Sequence, residues 1–175
     1  MNDGNYKEAI AALAELIEQD SITTIFRYNR AICYFSINML KESLADYKVL
    51  ARQLPEESEY VFQQGKVYLK MDSLNKAKVY ITKAIVMDNE VGEYFSNRGM
   101  AYLKNHEYNL AISDFSKSMF LSGKDKTALH NRGIAYLKMG NREKACQDWC
   151  EATTLGNNNS KLHLEKNCRL TPCTK

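Results

Sequence analysis

The sequence predicts an all-α protein built from repeated helical hairpins, and three observations carry that expectation. Four segments, YNRAICYF, FQQGKVYL, SNRGMAYL and HNRGIAYL, align at a constant offset of 34 residues. Around them, apolar and small residues recur at three- and four-residue spacing, the period of amphipathic helices. The 175 residues include only 8 glycines and 2 prolines against 11 tyrosines, a balance that suits helices better than many tight turns.

Each element can be justified in chain order. The first, 5–21, reads as one helix whose small and large positions, Ala9 and Leu13, match the second helix of a hairpin. Four full hairpins follow at 24–57, 58–91, 92–125 and 126–159, with polar breaks at SIN, MDS, KNHE and KMGN. Their tyrosines, Tyr34, Tyr68, Tyr102 and Tyr136, share a column, preceded three positions earlier by Ala31, Gly65, Gly99 and Gly133. Nine positions after each tyrosine stands Ser43, Ala77, Ala111 or Ala145, and four further on Tyr47, Ile81, Phe115 or Trp149. Small residues in the first helix let the second approach, and the large residues fill the space that remains. Pro55, Gly123 and Gly156 mark helix ends. Residues 160–175 then read as a capping helix and tail.

This pattern resembles the tetratricopeptide repeat family, whose 34-residue units carry a small residue, an aromatic three on, an alanine and a large apolar residue. The resemblance covers about 150 residues; Ala31, Ser43 and the single closing proline, Pro55, depart from the family pattern. The last unit also resembles the terminal repeats of bacterial members, especially from Bacteroidetes. The resemblance implies a right-handed α-solenoid, one domain over 1–175, whose first helices line a concave surface. Because the chain begins inside a repeat, an upstream continuation is expected. The alternative is that the face bearing Ala9, Leu13 and Leu16 joins another chain, as an assembly module.

By the family geometry, the concave surface takes Tyr28, Asn29 and Ile32, then Phe62, Gln63 and Lys66, then Ser96, Asn97 and Met100, then His130, Asn131 and Ile134. Carboxamides at 29, 63, 97 and 131 can donate to and accept from an extended peptide backbone. The alternative is that they bond only neighbouring helices. Lys70, Lys104 and Lys138 fall at first-helix C-termini, where they either attract an acidic partner or simply complement the helix dipole. Some family members hold acidic chaperone tails with a lysine and an asparagine where Tyr28 and Ile32 stand here, which argues against that partner.

Other function classes find less support. Net charge is +3, with Glu59 and Glu93 at the expected groove edge, so a nucleic-acid partner is not expected; such binding would weaken strongly with salt. His106, His130 and His163 fall in different units without a catalytic motif, so no enzyme and no cofactor are expected. No apolar run is long enough for a spanning helix. Cys146, Cys150, Cys168 and Cys173 approach a zinc spacing, but Cys146 and Cys150 lie inside a helix rather than a knuckle turn. In an antiparallel stack Cys168 comes level with Cys146, so a disulfide between them is the leading expectation, ahead of buried thiols and zinc. A disulfide favours an exported protein. The expected function is a non-catalytic scaffold that binds a peptide or protein segment, of unspecified identity, in the groove.

Overall fold

The structure is a computed structural model that describes residues 3–168 and 173. Among the described residues there are ten α-helices and no strand. They fall into two compact units, Met1–Met87 and Asp88–Lys175. The first contains α1 (Asp3–Gln19), α2 (Thr24–Ser36), α3 (Leu40–Gln53), α4 (Ser58–Lys70) and α5 (Leu74–Met87). The second contains α6 (Gly92–Lys104), α7 (Tyr108–Ser122), α8 (Lys126–Lys138), α9 (Arg142–Thr154) and α10 (Asn158–Asn167). In the first unit α2 packs on α1 and α3, and α4 on α3 and α5; in the second, each helix from α6 to α9 packs on its successor. Helix α10 starts slightly ahead of the expected residue 160, because the Asn157 side chain accepts the Ser160 N–H and caps it.

Each hairpin closes around the small-residue column. A methyl group on Gly65 would lie 2.5 Å from Ile81 Cγ1, on Gly99 3.0 Å from Phe115 Cε1, and on Gly133 2.6 Å from Trp149 Nε1. The large residues Tyr47, Ile81, Phe115 and Trp149 are at most 1% exposed, and Ser43, Ala77, Ala111 and Ala145 are fully buried. Burying each large side chain contributes about 1.5–3 kcal/mol. The two departures in the first hairpin compensate each other. Ser43 Oγ donates to the Ala31 carbonyl at 2.9 Å, so the hydroxyl is satisfied inside the core.

A further period-34 pattern, not among the sequence expectations, lies beside these columns. Arg30, Arg98 and Arg132 each form two hydrogen bonds, of 2.7–2.9 Å, with Asp46, Asp114 and Asp148. The aspartates are 4–6% exposed, and these bonds, as the largest cause, raise the arginine pKa values further. Each guanidinium also lies 5.7–5.8 Å from the ring centroid of its own unit's tyrosine, Tyr34, Tyr102 or Tyr136. The α4/α5 hairpin has Gln64 and Tyr80 in these places. Both partners change together, as they must: one alone would bury an unpaired charge at about 3–5 kcal/mol.

The breaks are equally regular. Asn38, Asp72, His106 and Gly140 all take positive φ, between 57° and 80°. The next residue's N–H returns to the tyrosine-column carbonyl, as Met39 to Tyr34 and Asn141 to Tyr136, at 2.8–2.9 Å. This is a Schellman stop, and asparagine, aspartate and glycine suit its left-handed residue.

Two stability outcomes follow. Gly133→Ala forces a methyl into the rigid indole at about 1–3 kcal/mol, outweighing the roughly 1 kcal/mol helix gain, whereas Gly4→Ala, with open space, shows only the gain. Thermal unfolding of the two variants should therefore move in opposite directions. Asp114→Ala should lower the midpoint strongly, and the pair Arg98→Gln with Asp114→Tyr, copying the α4/α5 hairpin, should recover most of the loss.

Candidate functional site

The first helices present the residues expected to meet a ligand, but not equally. In the first unit Asn29 is exposed, Ile32 is 39% exposed and Tyr28 is half-buried. Phe62 is fully buried, so it is core and offers no surface to a ligand; Lys66 lies 5.2 Å from its ring centroid. Gln63 Nε2 donates to Glu59 Oε1 at 2.6 Å. Lys70 Nζ donates to the Phe35 carbonyl at 2.7 Å and lies 4.2 Å from the Phe35 ring centroid. It thus adds a second donor to a last-turn carbonyl of α2 that already accepts the Asn38 N–H, and places its charge at the negative end of that helix.

In the second unit Asn97 is half-buried and donates to the Glu93 carbonyl at 3.0 Å, while Met100 and Ile134 are half-buried. Asn131 is only 7% exposed, too buried to meet a peptide backbone without rearrangement. Lys104 and Lys138 lie exposed in the last turns of α6 and α8. His130 is half-buried, and its Nδ1 is 2.8 Å from Ser160 Oγ in α10. The carboxamide column therefore passes from exposed at 29 to buried at 131.

Near the N-terminal ends of α2 and α4 the first unit has an open hollow of about 250 Å³ lined by Thr24, Ile25, Tyr28, Glu57, Glu59 and Tyr60. Tyr28 meets Tyr60 edge-on at 6.0 Å and Tyr47 edge-on at 6.1 Å. Sequence reasoning had Tyr28, and Glu59 as a groove-edge charge, but missed Tyr60 and Glu57. Tyr60 lies outside the 34-residue groove columns, and its value comes from the ring opposite it.

The end of the second unit is sealed by a compact cluster. Cys146 is bonded to Cys168 and Cys150 to Cys173, with Cα separations of 5.9 and 5.5 Å. The second pairing was not anticipated, although Cys146 and Cys150 share one face of α9 at a spacing of four. Among the described residues no group of three or more histidine, cysteine, aspartate or glutamate side chains could hold a metal ion. Between the helices, the His163 ring stacks on Trp149 at 4.7 Å and meets His130 at 5.2 Å. Trp149 Nε1 donates to the His130 carbonyl at 3.1 Å, and His163 Nδ1 is buried without a hydrogen-bond partner. His106 is elsewhere, in an exposed turn, with Nδ1 2.9 Å from Tyr108 Oη.

Helical hairpins repeated in register, with close-packed small residues, define an α-helical repeat protein. Two segments, 58–90 and 127–159, match the tetratricopeptide repeat model, so these two hairpins are tetratricopeptide repeats. Its structure is similar to that of MamA, at 18% identity and a TM-score of 0.76, covering 93% of this chain and 92% of the other. It is also similar to YrrB, described as a tetratricopeptide-repeat protein with an unusual peptide-binding site, at 22% identity, a TM-score of 0.74 and coverage of 93% and 84%. A thermophilic repeat protein of Thermus thermophilus, 14% identical, has a TM-score of 0.76 with 95% and 92% covered. At these identities the likeness is one of fold. Among the described residues no helix is long and apolar enough to cross a membrane.

Burial lowers the pKa of both His130 and His163, with His163 also acting on His130 and Lys166 on His163. The unfolded chain therefore takes up protons first, and stability falls as pH drops through 6.5 toward the lowered folded values. Acidification through that range should lower the thermal midpoint and change Trp149 emission. His163→Gln should flatten part of that dependence.

Proposed function

We propose that this chain is a non-catalytic scaffold that binds a peptide or protein segment along its first helices, the concave groove of the family. The observation that carries this reading is chemistry that recurs within each unit, on α2 in the first and on α6 in the second. Exposed Asn29 and half-buried Asn97 stand beside apolar Ile32 and Met100, so backbone-directed hydrogen bonding and side-chain contact are available together. YrrB, of similar fold, is described by its peptide-binding site, which adds support. The groove contribution falls to Tyr28, Asn29, Ile32, Gln63, Lys66, Asn97, Met100, Ile134, Lys104 and Lys138. Phe62, Asn131 and His130 serve packing and the C-terminal seal instead, and Lys70 braces α2 against α4. The two cysteine pairs suit work in an oxidising compartment.

The test uses the full chain as bait against extract of its native organism, with bound proteins identified by mass spectrometry. Asn97→Ala with Asn29→Ala should reduce capture of a specific partner about tenfold, since the loss of two hydrogen bonds amounts to roughly 1–3 kcal/mol, with the thermal midpoint little changed. Undiminished capture by the double variant would remove the peptide reading.

A further inference from the structure

We infer that the hollow near the N-terminal ends of α2 and α4 is a subsite for one cationic side chain, arginine or lysine, of the bound segment. The inference rests on the peptide-binding reading and adds to it the kind of residue the first unit selects. Size comes first: about 250 Å³ is below the roughly 300–1,000 Å³ of clefts that hold drug-sized ligands, and suits a single long side chain.

Chemistry then selects the charge. The lining carries two carboxylates, Glu57 and Glu59, and no lysine or arginine. The arginines of α2 do not neutralise them, because Arg27 Nη1 pairs with Asp46 at 3.3 Å and Arg30 binds the same carboxylate through two hydrogen bonds. An acidic ligand side chain would meet two like charges. Tyr28 and Tyr60 bring two aromatic rings to the lining, 6.0 Å apart and inclined at 62°, and a cation over the face of either ring would gain cation–π attraction.

The lining is also held in place. Tyr28 is backed by Tyr47, which is 1% exposed, and Glu59 is fixed by the Gln63 amide. Little side-chain freedom is lost when a ligand enters. Exposed Ile25 offers contact to the aliphatic stem of either cation. A guanidinium can pair with a carboxylate through two parallel hydrogen bonds and also stack on tyrosine, so arginine should bind better than lysine.

The experiment is an NMR titration of the full chain, with tyrosine rings labelled, by four capped pentapeptides of glycine carrying arginine, lysine, leucine or glutamate at the centre. The arginine peptide should shift the Tyr28 and Tyr60 ring signals, with leucine and glutamate peptides at least about tenfold weaker. Glu57→Gln with Glu59→Gln should weaken the arginine peptide about tenfold while leaving the thermal midpoint in place. The subsite is overturned if the leucine or glutamate peptide moves those signals as readily as arginine does. It is equally overturned if the arginine peptide moves nothing at millimolar concentration, or if the double variant binds unchanged. Failure here, with partner capture still sensitive to Asn29 and Asn97, removes the subsite alone. Arginine binding with capture insensitive to those asparagines removes the wider groove reading instead.

Discussion

Everything in these hairpins depends on how closely the first and second helices approach. Where Gly65, Gly99 and Gly133 stand, a single added methyl group would come within 2.5–3.0 Å of the opposing large residue. That contact sets the rotation of each first helix about its own axis. Rotation in turn decides which residues go inward, as Phe62 does, and which remain outward, as Asn29 does. Surface chemistry in this protein is thus a consequence of core geometry.

The arginine–aspartate pairs act on the same degree of freedom by a different means. They sit one residue before the small and large positions, so a bidentate bond at Arg98–Asp114 or Arg132–Asp148 fixes the angle that close packing has already selected. Buried ion pairs add little net stability compared with apolar residues of similar volume, and their use here is better understood as one of register. The α4/α5 hairpin shows that register can also be held without them, since Gln64 and Tyr80 occupy those places and Ile81 still seats against Gly65.

The repeat, and with it the helical hairpins, was legible because packing contacts impose residue types at fixed spacing. Small, aromatic and large columns each repeat a steric requirement, and their spacing alone revealed the hairpins. The ion-pair column is equally periodic but is interrupted at Gln64 and Tyr80, so it does not stand out as an unbroken column. The site was less legible. A column position states which way a side chain starts, not what covers it afterwards. Asn29 and Asn131 are equivalent by spacing, yet one is exposed and the other buried. His130 likewise meets Ser160 of α10, a helix outside the repeat pattern, so no periodic argument could place that contact. The hollow at Tyr28 and Tyr60 arises from two rings on different helices and has no signature along either one.

The cysteine pairing has a mechanical consequence. Because Cys150 is bonded to Cys173, tension applied to the chain beyond residue 173 enters α9 directly through that bond. Helix α10, lying within the bridged segment, is shunted out of the load path. A tether at this terminus would therefore pull on the last full hairpin while its cover stays in place.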